Sequence, residues 1–127
     1  MSIPANLRYT DDHEWARLES DGTVTVGITD FAQSSLGGVV YVEVPASGSL
    51  EAGKSFGQVE STKSVSELYA PISGEIVEKN ALLDGEPELV NTDPYGKGWM
   101  VRIAPKGDLS GLMDPAAYEA HVAAADH

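Results

Sequence analysis

The 127-residue chain carries 8 Lys and Arg against 20 Asp and Glu, a formal net charge of −12, with 42% hydrophobic and 22% charged residues. That length and apolar content can bury a workable core, which argues against wholesale disorder. The negative charge excludes phosphate-backbone binding and docking on an anionic membrane, both of which need clustered cations, and the absence of cysteine excludes disulfide scaffolds, Cys nucleophiles and Cys-based zinc sites.

The N-terminal stretch MSIPANLRYTDDHEW shows neither a secretory apolar run nor an Arg-rich amphipathic segment. A soluble cytoplasmic protein is therefore expected, and a mitochondrial-matrix protein trimmed of a transit peptide would read the same. One domain over residues 1–127 is expected from length, and the acidic surface suits a protein that visits partners with basic patches.

The pattern along the chain is mainly period two. WARLE (15–19) and TVTVGI (23–28) alternate on either side of Asp21-Gly22, a hairpin signal. DFAQSSLGG predicts a short helix near residues 30–36, with Asp30 as N-cap, Gln33 three residues on and Gly37 ending it. VVYVEV (39–44) reads as a strand stopped by Pro45. SFGQVE (55–60) and SVSELY (64–69) form the arms of a second hairpin, with Lys63 near its tip. GEIVEK (74–79) and GWMVRI (98–103) are further strands, each entered through Gly. Between them, NALLDGEPELVNTDPYGKG predicts one helical turn and then an acidic loop. MDPAAYEAHVAAADH predicts a C-terminal helix near 115–125, with Asp114 as N-cap, Pro115 at the first helical position, and Met113 and Tyr118 as a staple. GTVTVGI echoes GEIVEKN and GVVYVEV echoes GWMVRIA, which suggests a pseudo-symmetric β-sandwich.

His13, His121 and His127 are scattered, so no metal site is expected. No glycine-rich phosphate loop opens a helix and no Ser, His and Asp sit in an elbow setting. Trp15 and Trp99 read as core. The chain therefore shows no catalytic constellation and is expected not to be an enzyme. Lys63 admits two readings. A cation at a hairpin tip discourages edge-to-edge pairing. Alternatively, an amine projecting from a tight turn on a rigid sandwich is suited to covalent attachment of a cofactor, with nearby acidic residues as handles for the modifying enzyme.

Gly57, Lys63 and Gly74 give Gly–x5–Lys–x10–Gly, a spacing that resembles the lipoyl and biotinyl carriers. Biotin carriers usually flank the lysine with methionines; Thr62 and Ser64 stand here, which points to lipoyl. VESTKSVSELYAPISGEIVEKN is closely similar to the lipoylation segment of the glycine cleavage system H protein family, and the likeness runs from about Leu7 to Val122 through YTDDHEWA, GTVTVGITDFAQSSLGGVVYVEVPASG, ELVNTDPYGKGWMVRI and GLMDPAAYEAHV. The chain departs from it at Gly38, where the family more often has an acidic residue.

This resemblance implies a mainly β barrel-sandwich hybrid, two facing sheets with short helices. It implies lipoic acid on the Lys63 amine, with Glu60, Ser61, Ser64 and Glu67 in the lipoylation-recognition segment and Glu14, in HEW, as a carboxylate sheltering the aminomethyl arm. The implied role is a monomeric shuttle. It would carry the aminomethyl group of glycine from a pyridoxal-phosphate glycine decarboxylase (P protein) to a tetrahydrofolate-dependent aminomethyltransferase (T protein). Dihydrolipoamide dehydrogenase (L protein) would reoxidise it, after a lipoate ligase or lipoyl/octanoyl transferase has installed the group. A lipoyl relay feeding other complexes would use the same Lys63 and stays open at this level.

Overall fold

In the computed structural model, residues 3–125 are described; His127 and the outer ends of the 1–127 expectation lie outside them. Nine strands and four short helices are found among the described residues. The larger sheet runs, edge to edge, β1 (Arg8–Tyr9), β2 (Glu14–Leu18), β3 (Val24–Ile28), β9 (Val101–Pro105), β8 (Gly74–Lys79) and β5 (Gly48–Leu50). The smaller sheet runs β4 (Val39–Glu43), β6 (Ser55–Ser61), β7 (Val65–Tyr69). All pairings are antiparallel. The helices are α1 (Asp30–Leu36), α2 (Leu82–Gly85), α3 (Leu89–Thr92) and α4 (Pro115–Ala125). The architecture is the mainly β, two-sheet one expected, and neither sheet's strand order closes into a barrel. No described helix is long and apolar enough to cross a membrane.

The period-two pattern sets which side chains meet. Inward residues of the smaller sheet (Val39, Val42, Val59, Leu68) pack with Ile28 and Met100, while Ala16, Val24, Val26, Ile76, Val101 and Ile103 fill a second cluster. β3 is buried along its whole length, because the other face of the larger sheet is covered too. There Trp15 packs with Tyr9 and with Tyr118 of α4. The Trp15 indole lies where Gly27 lacks a side chain: a Cβ on Gly27 would stand 2.7 Å from the ring. Trp15 Nε1 donates to the Pro94 carbonyl at 3.0 Å, so its one polar atom is satisfied in the core. Trp99 is half-buried at the edge of this cluster.

The Asp21-Gly22 hairpin forms as expected, with Gly22 at φ 89 and Asp21 Oδ1 accepting the Thr23 N–H at 3.0 Å. α4 begins as predicted, with Asp114 Oδ1 accepting the Ala117 N–H at 2.8 Å and Tyr118 and Val122 turned inward. Other details differ. The cap of α1 is Thr29, whose Oγ1 accepts the Ala32 N–H at 3.2 Å. Asp30 lies inside the first turn and accepts from Gln33 Nε2 at 2.7 Å, so the Asp–x–x–Gln spacing marks a side-chain pair and not the cap. The predicted strand at 98–103 starts at Val101 and reaches Pro105, because Gly98 and Trp99 are held in turns by the Asp93 and Gly96 carbonyls. The intervening segment forms two helical turns, not one. The echo strands are not placed alike: β3 and β8 flank β9 in the larger sheet, while β4 lies in the smaller.

Candidate functional site

β6 and β7 pair from Ser55–Tyr69 to Glu60–Val65, and the chain bends at Thr62–Lys63. Ser61 makes the bend. Its Oγ accepts the N–H groups of Lys63 at 3.3 Å and Ser64 at 3.1 Å and donates to the Ser64 carbonyl at 3.2 Å. Thr62, Lys63 and Ser64 are exposed, and among the described residues no ion pair engages Lys63. The hydrocarbon stem of Lys63 lies across Gly37, at the end of α1.

The four residues expected to flank the lysine are not equivalent. Ser61 is buried at 6% exposure and its hydroxyl is consumed by the bend, so it shapes the tip from inside. Ser64 is exposed. Glu60 stands between Tyr41 and Val65 across the outer face of the smaller sheet, and Glu67 is paired with Gln58 in the next outward row.

Glu14, 49 residues before Lys63 in sequence, is brought to a cleft of about 180 Å³ between α1 and the lysine hairpin. Phe31, Ala32, Ser35 and Leu36 of α1 form one wall; Val59, Ser66, Glu67 and Leu68 of the hairpin contribute the other. Glu14 is 2% exposed. Its carboxyl accepts from Thr10 Oγ1 at 2.6 Å and from the Tyr69 N–H at 3.2 Å. Burial is the dominant influence and pushes its pKa from 4.5 up to about 7; the two hydrogen bonds pull the other way without cancelling it. The site thus holds a carboxyl that titrates near neutrality and gains from a cationic neighbour.

Behind Glu14 runs a network that sequence reading missed. His13 is in the left-handed region at φ 68, and its Nδ1 lies 2.9 Å from the Tyr118 hydroxyl. That hydroxyl lies 2.7 Å from Thr29 Oγ1, the cap of α1. The Thr29 N–H donates to the His13 carbonyl at 3.0 Å. His121 Nε2 contacts the Asp11 carbonyl at 2.9 Å. Two of the three scattered histidines therefore converge beside the cleft. Burial, with His121 beside it, lowers the His13 pKa below 6.5. The local pattern marks Tyr118 only as the staple partner of Met113 and an apolar face residue of α4, and says nothing of what its hydroxyl binds.

The family model described as Glycine cleavage H-protein matches residues 7–125. The chain is 58% identical to the glycine cleavage system H protein of Anaeromyxobacter sp. (strain K) over 125 residues, covering 96% of this chain and 97% of the relative. It is 54% identical to that of Marinobacter nauticus over 125 residues, covering 96% of each. Among solved structures, the crystal structure of a glycine cleavage system H protein from Mycobacterium marinum superposes with a TM-score of 0.88 at 41% identity, covering 95% of this chain and 99% of that one.

Proposed function

The chain belongs to the glycine cleavage H-protein family, and on that premise we propose that it is a non-catalytic lipoyl carrier acylated on Lys63. Bound there, lipoic acid supplies a redox-active disulfide on a long tether, able to take up the aminomethyl group of glycine at a pyridoxal-phosphate decarboxylase, surrender it at a tetrahydrofolate-dependent aminomethyltransferase, and be reoxidised by dihydrolipoamide dehydrogenase. The observation that carries this reading is an exposed lysine with no ion pair among the described residues, at a bend stapled by Ser61, beside a cleft that ends at a buried carboxyl.

The residues present fit such a group. The cleft follows α1 from Phe31 to Leu36, and the Lys63 stem lies at the far end of that helix. Seven helical residues span roughly 10 Å, a distance suited to a tether rooted at Lys63. The apolar part of the walls, from Phe31, Ala32, Leu36, Val59 and Leu68, limits the water that reaches a passenger lying against it, and fewer waters mean slower hydrolysis of a labile group. At the other end Glu14 receives the amine: a cation favours the ionised carboxylate, so a carboxyl with a pKa of about 7 in the free protein takes up charge as the passenger arrives. Glu60 and Glu67 face outward on the hairpin, where an attaching enzyme with a basic rim would meet them.

The test is mass spectrometry on protein expressed in a lipoate-replete host, with mapping of the peptide spanning Phe56 to Pro71. The expected result is a lipoyl adduct on Lys63 that Lys63→Arg abolishes, together with loss of glycine decarboxylation in a reconstituted system. An unmodified chain, from a host whose own lipoyl proteins are fully modified, overturns the proposal.

A further inference from the structure

The direction in which Lys63 leaves the hairpin is set from outside it. Asn91, in α3, engages both its amide hydrogens and its oxygen: Nδ2 donates to the Gly37 carbonyl at 2.8 Å and to Gln33 Oε1 at 3.0 Å, and Oδ1 accepts the Val39 N–H at 2.8 Å. Val39 is 4% exposed, so its N–H has no water to replace that partner. These bonds fix the turn at Gly37–Gly38, which is left-handed at Gly37 with φ 82. Gly38 in turn offers its carbonyl to the Thr62 N–H at 3.0 Å, one residue before the lysine. The Lys63 stem lies so close over Gly37 that a Cβ there would come within 3.0 Å of Lys63 Cε.

We propose that Asn91 is a positioning residue for acylation of Lys63, holding the Gly37–Gly38 turn as a ledge against which the tip is braced. The inference rests on the reading of Lys63 as the attachment site. The β4–β6 pairing holds the hairpin as far as Val39–Ser61, and the Thr62 bond to Gly38 carries that support one residue further, into the bend itself, where the Ser61 hydrogen bonds otherwise act alone. During attachment the neutral Lys63 amine attacks the carbonyl of an adenylate-activated acyl group. The amide C–N bond forms, the bond to the adenylate oxygen breaks with its electron pair, and the amine's extra proton passes to solvent. Such a step is sensitive to misplacement of about 1 Å, which can lower a rate by about 100-fold.

The test compares the wild-type chain with Asn91→Asp and Leu89→Ala, using free lipoate, ATP and a lipoate ligase. Asn91→Asp keeps an acceptor for the Val39 N–H but sets a carboxylate oxygen against the Gly37 and Gln33 oxygens. Leu89→Ala thins the packing of the same helix without removing any Asn91 hydrogen bond. Asn91→Asp is expected to lower kcat for attachment by about 10- to 100-fold with KM nearly unchanged. It should also speed amide exchange at Thr62 relative to Val59 by about tenfold. Leu89→Ala is expected to lower the melting temperature while leaving both readouts at wild-type values. Wild-type kcat and Thr62 exchange in Asn91→Asp, or equal losses in Leu89→Ala, overturn the positioning role. Failure of the wild-type chain to accept lipoate overturns the attachment reading itself, and is told apart by the first lane of the assay.

Discussion

Glu14→Gln should make the protein more stable at alkaline pH, and by an amount that depends on pH. The folded-state pKa of Glu14, about 7, lies above the ordinary 4.5. Between those values the native state holds a proton that the unfolded chain has released, so stability falls as pH rises through that window and levels off above it. A shift of that size amounts to about 3 kcal/mol once both states are ionised, near pH 8, and to less than about 1 kcal/mol near pH 5. Glu14 is 2% exposed, so solvent screening removes little of it. Glutamine keeps the shape, with its carbonyl accepting the Tyr69 N–H and its amide donating to Thr10 Oγ1 in place of the present bond. Thermal melts at the two pH values check this: Glu14→Gln should gain roughly 10 °C near pH 8 and only a few degrees near pH 5. Equal stability of the two proteins near pH 8, or a difference that ignores pH, would show that burial does not govern this carboxyl. Under the proposed function the same variant shortens the lifetime of the aminomethyl-loaded form, since a neutral amide offers the amine no charge.

Tyr118→Phe removes the hydroxyl shared by His13 Nδ1 and Thr29 Oγ1. Leaving those groups short of a partner should cost about 1–3 kcal/mol, read as a lower urea midpoint at unchanged slope; an unchanged midpoint refutes the network's contribution. Gly27→Ala pushes a methyl to 2.7 Å from the Trp15 ring, so it should destabilise by about 1–3 kcal/mol and alter the near-ultraviolet dichroism of the indole. A spectrum and midpoint matching wild type would mean that the ring moves aside freely.

Much of this molecule follows from patterns within a few residues. Alternating β-branched and aromatic residues specify the strands, Asp21-Gly22 specifies a hairpin because a left-handed glycine closes it, and Asp114-Pro115 starts α4. The lysine at the bend is legible for the same reason: strand, polar tip and strand are local facts. Other features depend on which distant groups meet. Nothing around Glu14 announces that its carboxyl is buried; Tyr69, of the lysine hairpin, supplies one of its hydrogen bonds, and α1 and that hairpin wall its cleft. His13 and Tyr118 are 105 residues apart, and Asn91 is 52 residues from the Val39 N–H it satisfies. Side-chain hydrogen bonds of that reach leave no periodicity behind. They are selected when the sheets pack and each buried polar atom must find whichever partner the fold has brought near, so only the tertiary structure decides them.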